Sequence, residues 1–194
     1  MGHEKVEYPQ AQNDTTVYEF SSAELAEVQK HVAKYPEKQS AVMPVLWMAQ
    51  EKYGWLSNGA IQLVADTLGL SFATVYGVAT FYTMYLKRPI KPGEQFLLEI
   101  CTCFSCGECN GDKLYEYARK KLNCKEDGMS ADGKFWLREA ECLGACDTAP
   151  VMQVHNKTIL HNLTEATIDQ VIDGLRNGVF PKYQPVPLID QSKI

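Results

Sequence analysis

The first hundred residues of this chain contain no cysteine, although the whole chain has seven. No apolar run approaches the roughly 20 residues that a transmembrane helix needs, and the N-terminal residues are polar and acidic rather than basic followed by apolar. An excess of basic residues is also lacking, because 19 Lys and Arg stand against 24 Asp and Glu, for a formal net charge of -5. We therefore predict a cytoplasmic chain with no export signal, no direct membrane insertion and no nucleic-acid partner.

Hydrophobic residues make up 45% of the chain and charged residues 22%, which is typical of a globular protein. Periodicity and turn residues divide its 194 residues into four parts. We predict a flexible N-terminal arm over residues 1–20, a helical bundle over 21–90, an α/β domain over 91–178 and an extended, proline-containing tail over 179–194.

Capping residues and helical spacing predict four helices in the bundle. They begin at Ser21, Ser40, Ser57 and Ser71 and end before Pro36, Gly54, Gly69 and Arg88. Leu25, Val28 and Val32 recur at helical spacing and are predicted to face the core of the bundle. Four aromatic residues in or after the fourth helix indicate core and interface rather than a cofactor site: Tyr76, Phe81, Tyr82 and Tyr85.

The hydrophobic pattern changes after residue 93. Strands are predicted at residues 96–100, 135–137, 151–154 and 158–160, and helices at 112–122 and after Thr164. Asn156-Lys157 is predicted as the turn of a hairpin between the last two strands. The order β, α, β, β, β, α indicates a compact α/β domain, in which the first two strands are parallel because a helix connects them.

All seven cysteines fall between Cys101 and Cys146. An odd number of cysteines in a chain without an export signal argues against a disulfide framework and favours metal or redox chemistry. Cys101 and Cys142 follow the first two strands, whose carboxyl ends lie at the same sheet edge, and Cys106 and Cys146 follow on short loops. Four thiolates are therefore predicted to converge from two neighbouring loops.

Four sulfur ligands suit Zn²⁺ or an iron–sulfur cluster. The C-x4-C and C-x3-C loops are wider than the C-x2-C knuckles of structural zinc sites, and this favours a [2Fe-2S] cluster. Gly144 in the second loop allows backbone amides to approach the sulfurs, where they tune the reduction potential.

Other interpretations of the same cysteines remain open. Cys103, Cys106 and Cys109 form overlapping C-x2-C units, compatible with a zinc knuckle, a [4Fe-4S] loop or a dithiol. A thiol oxidoreductase using Cys103 and Cys106 and a zinc-stabilised interaction module are therefore rival functions. Cys103, Cys109 and Cys124 are interpreted as small buried or incidental thiols.

Little else in the sequence suggests a site. The histidines, His161 among them, are not spaced for metal binding with the cysteines and are expected in solvated or hairpin positions. No G-x-G-x-x-G motif occurs, so the chain offers no nucleotide site of its own. We predict no catalytic residue on this chain.

These residues resemble a known family. The resemblance rests on Cys101-Thr102, Cys106, Glu141-Cys142-Leu-Gly-Ala-Cys146, Ala149-Pro150 and Gly77-Val-Ala-Thr-Phe-Tyr82, and it covers about residues 20–176. The family is the 24 kDa (NuoE-type) subunit of NADH:quinone oxidoreductase, respiratory complex I. The resemblance implies a helical bundle, then a thioredoxin-like domain that binds one [2Fe-2S] cluster through Cys101, Cys106, Cys142 and Cys146.

The resemblance also implies a function. Members of the family transfer electrons beside a larger flavoprotein subunit (NuoF-type) that binds FMN and NADH, and catalysis belongs to the assembly. The implied location is the peripheral arm of a membrane-bound complex, with other peripheral-arm subunits, on the cytoplasmic side of the bacterial inner membrane. Related subunits serve NAD(P)-linked hydrogenases and formate dehydrogenases, so these complexes are alternative hosts.

Overall fold

The computed structural model describes residues 16–90 and 94–182. The chain forms two compact units, Met1–Lys91 and Pro92–Ile194. Most of the predicted arm (residues 1–15) and of the predicted tail (residues 183–194) lies outside the described residues. Within the described ranges, no helix combines the length and the apolar character that crossing a membrane would require.

The first unit is helical, as predicted. Its helices are α1 (Ser22–Val32), α2 (Val42–Tyr53), α3 (Asn58–Leu68) and α4 (Phe72–Phe81), with a 3₁₀ turn at Lys38–Ala41 before α2. The predicted N-caps Ser21, Ser57 and Ser71 each accept a hydrogen bond from the backbone amide three residues later. Gly54 and Gly69 end α2 and α3 in the left-handed conformation, which glycine adopts without steric cost.

Three details of the predicted bundle are wrong. The second helix begins at Val42 rather than Ser40, because residues 38–41 wind as a 3₁₀ turn before Pro44 takes its place in the first turn. Leu25 is 41% exposed instead of facing the core. Helix α4 ends at Phe81, well before Arg88, and Tyr82 is already extended. The Lys87 ammonium donates to the Ala79 carbonyl near this helix end (2.6 Å), which satisfies a carbonyl in the last turn of the helix.

Aromatic side chains of this unit divide between core and surface. Tyr85 is buried and its hydroxyl donates to the Met43 carbonyl at 2.8 Å. Phe81 is 77% exposed, and Tyr76 and Tyr82 are also exposed. Of the residues predicted as an arm, 16–20 are described, and Phe20 among them is buried in the helical core.

The capping box of α1 makes a testable contribution to stability. The Glu24 carboxylate accepts hydrogen bonds from Lys52 Nζ (2.6 Å) and from the Ser21 amide (2.7 Å). These contacts, that of Lys52 first, lower the pKa of Glu24 from 4.5 to about 2. Because the pKa is lower in the folded state, the stabilisation is complete above about pH 5 and is lost as the pH falls towards about 2.

We therefore expect Glu24→Gln to lower the melting temperature at neutral pH. The melting temperature of the variant should then fall less on acidification than that of wild type. The measurement is thermal unfolding of wild type and variant across this pH range. Glu51→Gln on α2 is the matched control, since Glu51 is exposed and has no ion pair within the described part of the chain. A Glu24→Gln profile parallel to that of wild type would contradict the assigned role.

The second unit is the predicted α/β domain. It contains β1 (Phe96–Cys101), α5 (Phe104–Glu108), α6 (Gly111–Lys121), β2 (Phe135–Ala140), β3 (Met152–Val154), β4 (Thr158–Leu160) and α7 (Glu165–Arg176). The strand order is β2-β1-β3-β4. β1 and β2 are parallel as predicted, whereas β1–β3 and β3–β4 are antiparallel.

The core of this unit lies between the sheet and the helices α6 and α7. Leu98 and Ile100 alternate along β1 and are buried together with apolar side chains of both helices. The buried helical residues follow the predicted spacing: Leu114, Ala118, Ile168, Val171, Ile172 and Leu175. Thr164 caps α7 as predicted, since its hydroxyl accepts from the Thr167 amide at 3.2 Å.

The hairpin turn lies one residue earlier than predicted. The Lys157 amide donates to the Val154 carbonyl (3.0 Å), and the two central residues are His155 and Asn156 rather than Asn156 and Lys157. Both are in the left-handed region, with φ of 54° and 55°. His155 is held there by a hydrogen bond to the Gln95 carbonyl (3.1 Å) and by stacking on Phe180, contacts that offset the backbone cost.

Candidate metal centre

The parallel pairing of β1 and β2 brings the two cysteine loops to one edge of the sheet. Cys101, the last residue of β1, pairs with Ala140, the last residue of β2, and Cys142 follows two residues later. The Thr102 amide donates to the Ala140 carbonyl at 3.3 Å. The predicted placement of both loops at the same edge is therefore confirmed.

The first loop contributes a buried pair of thiols. Cys101 and Cys106 are only 1% and 2% exposed, and they belong to the same small buried cluster. Burial raises the pKa of the Cys106 thiol to about 11, with the Cys101 contact adding to the rise, while a hydrogen bond with the Val151 backbone acts in the opposite direction. Val151 is fixed beside them because its carbonyl accepts from the Cys101 amide at 3.1 Å.

The second loop contributes an exposed pair. Cys142 Sγ and Cys146 Sγ are 3.2 Å apart, and both residues are exposed. The Gly144 amide donates to Cys142 Sγ at 3.4 Å and is the main cause that lowers the pKa of Cys142. Gly144 has a φ of 76°, the left-handed region in which glycine is favoured, and the prediction that a backbone amide here approaches a sulfur is confirmed.

The two loops lie close together. The contact with Cys142 is the main cause that raises the pKa of Cys146, and the charge of Cys101 in the first loop adds to the rise, whereas the Ser105 side chain of that loop lowers it. Cys101, Cys106, Ala145 and Val151 form one small buried cluster beneath the loops. The structure therefore brings the four predicted cysteines to one edge of the sheet, with Cys101 and Cys106 buried and Cys142 and Cys146 exposed.

The arrangement of sulfurs is one of two pairs rather than of four ligands around a point. Within residues 16–90 and 94–182, no three His, Cys, Asp or Glu side chains are grouped closely enough to hold a metal ion. A structural zinc site takes four ligands in a tetrahedron, whereas a two-iron cluster takes two thiolates on each iron. The donor set, four cysteine sulfurs from two loops, is one that either group can use.

The remaining cysteines are placed differently. Cys109 is exposed. Cys124 lies against the core below α6, and burial raises the pKa of its thiol to about 11, which disfavours its reactive thiolate form. Cys103 is half-buried at the N-cap of α5, and its sulfur is 3.7 Å from Glu141 Oε2.

Acidic side chains connect the two loops at the rim of the site. Thr102 Oγ1 donates to Glu139 Oε2 at 3.2 Å, beside the contact between Cys103 and Glu141. Each contact joins a residue of the first loop to a residue just before Cys142. The loops are therefore held together by side chains as well as by the sheet.

Sequence reasoning missed several features of this site. Helix α5, which carries Cys106, is only five residues long and includes Gly107, so it has no periodicity to detect. The contact of Thr148 with His161 joins residues that are distant in sequence. No signal in the sequence distinguishes these residues from ordinary surface positions.

Comparison with known proteins agrees with this geometry. Residues 28–176 match the model of the thioredoxin-like [2Fe-2S] ferredoxin family, and the chain belongs to this family. The expected thioredoxin-like fold and [2Fe-2S] cofactor are thereby confirmed.

Relatives with similar sequences carry the names of respiratory enzyme subunits. The chain is 36% identical to an NADH-quinone oxidoreductase subunit of Rickettsia bellii, over 84% of this chain and 96% of the relative. It is 35% identical to the mitochondrial NADH dehydrogenase (ubiquinone) flavoprotein 2 of Dictyostelium discoideum, over 89% of this chain and 70% of the relative. The expected resemblance to NuoE-type subunits is confirmed.

Similar solved structures share the fold at low sequence identity. A crystal structure of an air-oxidised NAD⁺-reducing [NiFe]-hydrogenase superposes with a TM-score of 0.55 and 16% identity. The match covers 69% of this chain and 23% of the hydrogenase chain. At this identity the likeness concerns the fold alone.

Proposed function

We propose that this chain is an electron-transfer subunit of NADH:quinone oxidoreductase. In this proposal Cys101, Cys106, Cys142 and Cys146 hold one [2Fe-2S] cluster beside the FMN- and NADH-binding flavoprotein subunit (NuoF-type). The observation that carries it is the meeting of the two cysteine loops at one sheet edge, where Cys101 and Cys106 of the first loop share a buried cluster with Ala145 of the second. The names of the relatives, subunits of an NADH-quinone oxidoreductase, support the same assignment.

The cluster, when bound, accepts and releases one electron at a time. The chain's own residues hold the sulfurs and adjust their charge. The Gly144 amide donates to Cys142 Sγ, and donors of this kind stabilise the negative charge on the sulfur. Burial of Cys101 and Cys106 fixes one side of the site, while exposure of Cys142 and Cys146 leaves the other side open to an electron-transfer partner.

A flavoprotein partner follows from what electron transfer from NADH requires. NADH delivers a two-electron hydride, and a one-electron carrier needs a flavin between itself and the nucleotide. In our proposal the hydride is taken on the partner, and this chain contains no complete active site. The exposed aromatic side chains of α4, Phe81 above all, supply the kind of apolar surface that protein contacts use.

The proposed location is the peripheral arm of the complex, on the cytoplasmic side of the membrane, where further peripheral-arm subunits adjoin. An equivalent subunit of an NAD⁺-reducing hydrogenase is the second candidate, supported by the shared fold. The quinone oxidoreductase is favoured because relatives at 33–37% identity carry its name over most of this chain.

The rival thiol oxidoreductase, which would use Cys103 and Cys106, is disfavoured by the burial of Cys106. Such an enzyme needs an accessible thiol with a lowered pKa. Cys106 is buried and its pKa is raised to about 11. A zinc module is disfavoured because the chain belongs to a [2Fe-2S] ferredoxin family.

We expect that the cluster-loaded chain alone is not reduced by NADH. The experiment mixes anaerobic purified protein with NADH and follows bleaching of the visible absorption, first alone and then with the flavoprotein subunit. Dithionite, which reduces clusters directly, controls for an inactive preparation. Fast bleaching by NADH without flavin would reveal a nucleotide site on this chain, and a colourless protein without iron or acid-labile sulfide would refute the cluster itself.

A further inference from the structure

The second cysteine loop is fastened to the turn between β4 and α7. His161 Nδ1 lies 2.6 Å from Thr148 Oγ1, and the Asn162 amide donates to the Thr148 carbonyl at 2.9 Å. The Leu163 amide donates to the Pro150 carbonyl at 2.8 Å. Three consecutive residues of the turn therefore hold the segment that directly follows Cys146.

Thr148 connects His161 to the second cysteine loop. Its hydroxyl oxygen is 2.6 Å from His161 Nδ1 and 3.1 Å from the Ala145 carbonyl oxygen. The result is a series of hydrogen-bonded groups from the His161 ring through the Thr148 hydroxyl to the Ala145 carbonyl.

This series of hydrogen bonds ends at Ala145, next to the proposed ligand Cys146. Ala145 is 8% exposed and immediately precedes Cys146, and its carbonyl also accepts from the Thr148 amide at 3.1 Å. Cys142 and Cys146 are exposed, so little packing around their side chains restrains them. The position of the Cys146 sulfur therefore depends on how firmly the backbone from Ala145 to Thr148 is held.

We propose that His161 is a positioning residue for the [2Fe-2S] site, acting on Cys146 through Thr148. The inference rests on the proposed function, since it takes Cys146 as a ligand. His161 touches neither sulfur nor cluster in this assignment. It keeps the open loop in a single conformation, so that the sulfur stays in place when the charge of the site changes by one electron.

The test compares variants that remove the hydrogen bond with variants that keep it. His161→Leu and Thr148→Val remove one partner each at similar volume. His161→Asn keeps a nitrogen donor near the position of Nδ1, and Thr148→Ser keeps the hydroxyl. Cluster-loaded full-length proteins are incubated anaerobically with excess EDTA, and the half-life of the visible absorption is measured.

We expect His161→Leu and Thr148→Val to shorten this half-life by about five- to tenfold, the factor for the loss of one hydrogen bond. The double variant should lose its cluster no faster than the more affected single variant, because both changes break the same series of hydrogen bonds from His161 to Ala145. His161→Asn and Thr148→Ser should stay within about twofold of wild type. The reduced EPR spectra of the first two variants should broaden, because the loop samples more than one conformation.

Several outcomes would overturn the inference. Wild-type half-lives and EPR line widths in both His161→Leu and Thr148→Val would do so, as would equal losses in His161→Asn and His161→Leu. Thermal melts check that each variant is folded, and Thr148→Val tests the contact independently if His161→Leu does not fold. A wild-type protein without iron and sulfide would instead refute the proposed function, on which the inference depends.

Discussion

Single replacement of Cys101, Cys106, Cys142 or Cys146 by Ser should remove most of the iron and acid-labile sulfide from the purified chain. Each replacement removes one thiolate from a pair, and serine oxygen is a much poorer ligand for this cluster. The loss should be large for both pairs, although their exposure differs. Iron and sulfide analysis with visible absorption of anaerobically purified protein measures the effect.

The remaining cysteines provide matched controls within the same chain. Cys109→Ser and Cys124→Ser should retain the cluster, because Cys109 is exposed and Cys124 lies in the core below α6. Cys103→Ser is the more demanding control, since Cys103 lies in the first loop and packs against the buried cluster of the site. We expect it to retain the cluster, because its sulfur faces Glu141 at 3.7 Å.

A specific result would reverse the assignment of the first loop. If Cys103→Ser lost the cluster while Cys101→Ser kept it, Cys103 would be the ligand. Loss in all seven variants would indicate instead that the loops unfold whenever any cysteine is changed. Circular dichroism of each variant separates that outcome from loss of a ligand.

Gly111→Ala should destabilise the second unit and lower its cluster content together. A Cβ at Gly111 would lie 2.7 Å from both the Cys101 and the Cys106 carbonyl oxygens, closer than real contacts of this kind. Backbone atoms cannot turn aside as a flexible side chain can, so the first loop must shift. Overpacking of this kind costs about 1–3 kcal/mol, and here the displaced residues are two of the proposed ligands.

Gly107→Ala is the matched control for this prediction. Gly107 lies in helix α5 of the same loop, and a Cβ there would meet its nearest neighbours at 3.6 Å, an ordinary contact. Because alanine favours helix over glycine, this variant should be as stable as wild type or slightly more so. Denaturant unfolding and iron content measure both effects. Equal stability and cluster content in the Gly111→Ala and Gly107→Ala proteins would contradict the prediction, because the first loop would then accommodate the Cβ without losing stability.

The sequence alone determined much of this protein. Capping signals located most helices, since a cap is local and its hydrogen bonds reach only three residues, as from Ser21 to Glu24. The crossover rule predicted that β1 and β2 are parallel, and hence that Cys101 and Cys142 meet at one edge. In these cases the responsible interactions are local or follow from chain chirality, and the predictions were confirmed.

Only the tertiary structure decided the rest. The early end of α4, the exposure of Leu25 and the left-handed turn at His155 depend on how the elements pack, as the contact of Gln95 with His155 illustrates. The same holds for the division into a buried and an exposed thiol pair, and for the contact of Thr148 with His161. Spacing along the chain specifies which elements form and which edge they share, whereas burial and hydrogen-bond partners arise only when the elements pack.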